Sequence, residues 1–219
     1  MDEFLSEKEQ VEEIRKWWKE NGAWVVGGLV LGLSLLVGWN SWQSHVKTKA
    51  EQASSLFEQV RVQAMAGNAD AASELTGKLR NEFAATPYAE EASLVLAKLL
   101  VEQGSLESAV EALEFVVAGK EDPQLVLVAR MRLAQVRLQQ GEFDAAVDVL
   151  EVEDAGAFSA RYSELRGDIA VARGDWATAR SEYETAISDL GAGVVNRELV
   201  EIKLNDLPQA ELAEAESES

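Results

Sequence analysis

Between Asn21 and Ser44 the chain carries no charged residue, a run of 24 positions in a protein that is 27% charged. A hydrocarbon core about 30 Å thick needs about 20 helical residues at about 1.5 Å rise each. The segment from Gly22 to Trp39 is therefore long enough to cross a bilayer as one helix. The competing reading, a buried core helix, is disfavoured because core helices seldom stay free of charge for so long. This stretch divides the chain into a short leader, a span and one soluble region.

A cleaved signal peptide fits poorly. The apolar run exceeds the 7–15 residues of a signal h-region. Asn40-Ser41-Trp42-Gln43 follows it without a small-x-small cleavage pattern. Five of the six tryptophans bracket it, Trp17, Trp18 and Trp24 before and Trp39 and Trp42 after. Indole rings favour the headgroup level, where one edge is apolar and the N–H is wet. Lys8, Arg15, Lys16 and Lys19 lie on the amino side, against Lys47 and Lys49 on the other. That bias predicts a cytoplasmic N-terminus and an outward-facing, periplasmic C-terminal region. Gly28 and Gly32 form a GxxxG in the span, which lets a second helix backbone approach closely. Glycine is also simply common in membrane helices.

Residues 1–20 read as a short amphipathic helix, with Ser6 and Glu9 as a capping box and Val11, Ile14 and Trp18 at helical spacing. It is either a solvated lead-in or a docking helix.

Beyond the span, residues 45–219 hold 32 acids against 16 Lys and Arg, within a chain of net charge −19. Such a surface repels nucleic-acid phosphates and anionic lipid. Ala, Leu, Glu and Gln dominate and only three prolines occur, which predicts an all-α region.

That region repeats itself. Gly67-Asn68-Ala69-Asp70-Ala71-Ala72 returns as Gly104 to Ala109, as Gly141 to Ala146, and as Gly174 to Ala179. The glycines are 37, 37 and 33 residues apart. Seven residues before each stands Val60, Ala97, Ala134 or Gly167. The pattern predicts helical hairpins. The glycine takes a left-handed turn, and the small residues on either side let the paired helices close up. Pro87 and Pro123 are placed to end the second helices of the first two units. One hairpin cannot bury its own apolar face, whereas a stack of them can. Val194 to Leu204, with Leu199, Ile202 and Leu207 as apolar positions, is expected to be a helix that caps the open end, with a short strand as the alternative. The acidic residues 205–219 are expected to be disordered.

The glycine, the preceding small residue and the following alanine resemble tetratricopeptide repeats. The late prolines and the Val60 and Gly167 positions depart from that pattern. The order of parts adds to the resemblance: a Trp17-Trp18-Lys19-Glu20-Asn21-Gly22 junction, one glycine-rich span, a Trp39-Asn40-Ser41-Trp42 exit, then hairpins with a Glu164-Leu165-Arg166-Gly167-Asp168 element. Together these resemble the YfgM family of ancillary SecYEG translocon subunits, over nearly the whole chain to Leu207. The resemblance implies a single-pass inner-membrane protein with a periplasmic repeat domain. It further implies association with SecYEG and the membrane-anchored chaperone PpiD, and a part in handing newly exported proteins to folding factors. A generic envelope scaffold, in cell division or outer-membrane assembly, is the alternative.

The expected fold is thus all-α, with a transmembrane helix at 21–44 after a cytoplasmic segment at 1–20. A tetratricopeptide-like solenoid at 45–204 and an acidic tail at 205–219 follow. No enzymatic constellation is legible. The chain has no cysteine, one histidine (His45, at the membrane exit), and no phosphate loop or metal-binding spacing. Acid pairs such as Glu12-Glu13, Glu90-Glu91 and Glu153-Asp154 read as solvated faces. No cofactor, metal, nucleic acid or small-molecule substrate is expected. The expected activity is protein binding, on the groove lined by the first helix of each hairpin. Spacing from the turn glycines puts Arg61, Met65, Lys98, Val101, Met131, Gln135, Leu138, Asp168 and Val171 there. Methionines and aliphatics among polar groups suit a peptide or helical guest. The alternative for the aliphatic members is burial between repeats.

Overall fold

The computed structural model describes residues 7–119, 122–189 and 195–208. The chain divides into two compact units, one up to Gln52 and one from Ala53.

In the first unit helix α1 (Glu7–Met65) begins at Glu7, and no break separates the expected leader helix from the apolar stretch. Nothing between them would stop a helix: there is no proline, and Gly22 lies beside the Trp18 indole. The Ser6 cap lies outside the described residues. The apolar side chains of the stretch are exposed, Trp24 by 84%, and only 6% of the most apolar window is buried. The helix is long and apolar enough to cross a membrane. Trp17 packs on Trp18 with ring centroids 6.4 Å apart, and Trp39 on Trp42 at 5.5 Å. A methyl group at Gly28 or Gly32 would meet nothing within 4 Å, so that face is open.

The second unit is a run of helical hairpins. The end of α1 pairs with α2 (Ala69–Glu82) and α3 (Pro87–Glu102) with α4 (Leu106–Val117). In the same way α5 (Pro123–Gln139) pairs with α6 (Phe143–Leu150) and α7 (Ser159–Arg173) with α8 (Trp176–Ser188). Each turn glycine is left-handed, with φ of 72°, 76°, 77° and 79° at Gly67, Gly104, Gly141 and Gly174. This is the conformation that only glycine adopts without a Cβ penalty. At each turn the glycine N–H and the next N–H fold back onto carbonyls of the closing helix. In the second hairpin Gly104 donates to Val101 at 3.0 Å and Ser105 to Leu100 at 2.9 Å. In the first and fourth hairpins the side chain of the residue after the glycine also caps the second helix: Asn68 accepts from the Ala71 N–H and Asp175 from the Thr178 N–H.

The small positions close each hairpin. Val60, Ala97, Ala134 and Gly167 are buried, and so are Ala72, Ala109, Ala146 and Ala179. Successive hairpins pack through α2 on α3, α4 on α5 and α6 on α7, while α3, α5 and α7 meet along the other side. Polar ties reinforce the stack. The Tyr162 hydroxyl donates to the Leu127 carbonyl at 2.9 Å, and burial pushes its pKa up to about 12. Gln103 donates to the Gly67 carbonyl at 2.8 Å, joining one turn to the next.

Three expectations change. Pro87 and Pro123 are the first residues of α3 and α5, so they start the next repeat. A first-turn helical residue needs no N–H, and α2 has already stopped at Glu82. The cap, α9 (Arg197–Asn205), packs on α8, and of the three expected apolar positions Leu207 is buried while Leu199 and Ile202 are replaced by Val200. Val200 and Leu207 are buried, whereas Leu199 and Ile202 are 45% and 51% exposed. Finally, Glu90 is not solvated: it is 4% exposed, with its carboxylate beside Gly119. Residues 209–219, most of the acidic stretch, lie outside the described residues.

Candidate partner-binding groove

The first helices of the hairpins leave two adjoining clefts. The larger, about 580 Å³, runs between the end of α1 and α3: Phe57, Arg61, Ala64 and Met65 face Leu94, Val95 and Lys98, with Glu91 and Glu102 at its edges. The smaller, about 350 Å³, lies between α3 and α5, where Lys98 and Val101 face Gln135, Val136 and Gln139 over Leu113. Lys98, Glu102 and Arg132 line both, so the two form one trough across three helices. Its floor is aliphatic and its rim is charged. Arg61 holds Glu58 at 2.8 Å, and Lys98 stands 3.7 Å from Glu102, both pairs largely in solvent.

Five of the nine expected residues line this trough: Arg61, Met65, Lys98, Val101 and Gln135. Met131 and Leu138 instead pack against the core around Leu150, Tyr162 and Ile169. Val171 packs against the core around Tyr183 and Val200. Asp168 is held by the cap: it accepts from Lys203 Nζ at 2.7 and 2.8 Å and from the Tyr183 hydroxyl at 2.8 Å. Arg132 was missed, although it stands three residues before Gln135 and so shares its face of α5.

The Glu164-Leu165-Arg166-Gly167-Asp168 element has a structural account at every position. Glu164 and Asp168, one turn apart, both accept from Lys203 of α9. Glu164 is 1% exposed and also pairs with Arg161. Burial pushes its carboxyl upward, but the hydrogen bonds and charges of Lys203 and Arg161 outweigh that and hold it below the ordinary value. Leu165 is core, and Arg166 reaches Glu182 of α8 at 3.1 Å. Gly167 leaves room for the Tyr183 ring. The element fastens the last hairpin to its cap.

The chain matches the family description "Tetratricopeptide repeat-like domain" over residues 15–209. It is similar to the ancillary SecYEG translocon subunit of Aggregatibacter actinomycetemcomitans, 32% identical over 203 residues, covering 93% of this chain and 98% of that one. It is also similar to the ancillary SecYEG translocon subunit of Escherichia coli (strain K12), 31% identical over 136 residues. That match covers 61% of this chain and 64% of the relative, just under two thirds of the relative's length. Among solved structures it resembles a Podosopora anserina protein with kinesin light chain nearly identical TPR-like repeats. The TM-score is 0.56 at 18% identity, covering 77% of this chain and 91% of the other. This likeness speaks to the fold alone.

Proposed function

The chain belongs to the family of ancillary SecYEG translocon subunits with a tetratricopeptide repeat-like domain, and from that membership we propose that it is a membrane-anchored binding module of the protein-export machinery. Residues 21–44 span the inner membrane, with residues 1–20 in the cytoplasm and the repeat domain, residues 45–204, in the periplasm. The module sits beside SecYEG and the chaperone PpiD and assists the hand-over of newly exported proteins. The observation that carries this reading is the pairing of parts in one chain. A charge-free helix with solvent-facing apolar side chains precedes a stack of hairpins that keeps an aliphatic trough open. A soluble protein has no use for the first, since exposed apolar surface on that scale marks a membrane or partner contact. The trough suits a peptide or helical guest.

The test is co-purification. Full-length protein extracted in mild detergent is expected to retain SecYEG and PpiD. Replacing residues 21–44 with an unrelated span is expected to reduce both. Retention of neither by the intact chain contradicts the proposal.

A further inference from the structure

Arg132 stands where the two clefts meet and lines both. Its neighbours on the rim are engaged, Arg61 with Glu58 and Lys98 with Glu102. Among the described residues Arg132 itself carries no ion pair and no hydrogen bond. Among the described residues ten of the chain's 20 Lys and Arg pair with its own acids, and Arg132, at the centre of the trough, is not one of them. Two carboxylates share the lining, Glu91 and Glu102, against Arg61, Lys98 and Arg132. With Glu58 on Arg61 and Glu102 on Lys98, Arg132 is the lining cation without an ion pair, above an aliphatic floor of Leu94, Val95 and Val101.

We propose that the trough selects client segments in which a carboxylate side chain is flanked by apolar residues, with Arg132 as the carboxylate anchor. This rests on the proposed binding role and names its specificity. A guanidinium presents a planar fork that matches a carboxylate with two parallel hydrogen bonds. Apolar neighbours on the same guest settle into the cleft on either side. A basic residue at the same position meets the Arg132 guanidinium with like charge, so the same geometry disfavours it.

The experiment uses the full chain in nanodiscs and three acetylated, amidated peptides with one apolar frame and Glu, Gln or Lys at the centre, read by fluorescence anisotropy. The Glu peptide is expected to bind about three- to ten-fold more tightly than the Gln peptide, the range of a partly exposed charged pair. The Lys peptide is expected to bind more weakly than both. Arg132→Gln is expected to erase the Glu preference without changing the Gln peptide's affinity, and Arg132→Glu to transfer the preference to Lys. Arg180→Gln, on α8 and outside the trough, is expected to keep the wild-type order. The proposal is overturned if the wild type shows no Glu preference, or if that preference survives Arg132→Gln. It is equally overturned if the preference appears only after deletion of residues 209–219, which would make the chain's own tail the occupant. Failure to bind any peptide overturns it too, while retention of SecYEG in detergent extracts would leave the broader role standing.

Discussion

Gly167 lies against the ring of Tyr183, so close that a methyl group there would overlap the ring carbons. The same two positions in the second and third hairpins hold Ala97 with Leu113 and Ala134 with Leu150, each pair within one core cluster. The larger the residue on the second helix, the smaller its partner on the first. Gly167→Ala is expected to cost about 1–3 kcal/mol through overpacking. Gly167→Ala with Tyr183→Leu recreates the pairing of the other hairpins and is expected to cost less than the sum of the two single changes. Chemical denaturation of the four proteins in detergent measures the coupling. Strict additivity would show that the two residues do not share a packing constraint.

Lys203 neutralises two carboxylates of α7, one of them fully buried. Removing one partner of such a cluster leaves an uncompensated charge, which costs about 3–5 kcal/mol when fully buried and less for the part-exposed Lys203. Lys203→Met is therefore expected to release α9. Amide hydrogen exchange over residues 197–205 should rise well above that of α5. Unchanged protection would assign the docking of α9 to Val200 and Leu207 alone.

Acid should act on the same cluster. Glu164 has a folded-state value below its ordinary 4.5, because its ion pairs outweigh its burial. The unfolded chain therefore takes up this proton at a higher pH than the folded one. The stabilisation is complete above about pH 5 and disappears as the pH falls through the folded value. Protection of α9 is expected to hold from pH 7 to pH 5 and to fall below about pH 4. Glu164→Gln should flatten that step. A step that survives the substitution would place its origin at another carboxylate.

Glycine substitutions should differ in sign by position. Gly141 is left-handed, so Gly141→Ala is expected to cost about 1–2 kcal/mol. Gly77 lies inside α2, where a methyl group meets nothing within 4 Å. Gly77→Ala is expected to stabilise by about 0.4–1 kcal/mol. Thermal unfolding in detergent compares the two, and equal signs would contradict the assignment of Gly141 to the turn.

The hairpins were legible because their determinants are local and periodic. A left-handed glycine, a small residue seven before it and an alanine five after recur at nearly constant spacing, and each sits where that spacing places it. The cap was legible in existence but not in face. Short helix α9 carries apolar residues on two sides, and only packing on α8 chooses Val200 over Leu199 and Ile202. The Lys203 cluster was not legible, since its partners lie 35 and 39 residues away and follow no repeat. The same contact holds Asp168 at the cap. For the trough, the expected α5 face was off by about one residue: Met131 and Leu138 turn into the core, and Arg132 turns out. Periodicity marks a helix face to about that precision when both sides of the helix are apolar.

The span and the trough are both proposed to serve protein export. Site-specific photo-crosslinking of the full-length protein during active export tests this directly. A photoreactive residue at Gly28 or Gly32 is expected to capture a SecYEG subunit. One at Gln135, in the trough, is expected to capture newly exported chains, above the level seen from Arg180 on α8. Adducts from neither site above that control would contradict a role for either in export.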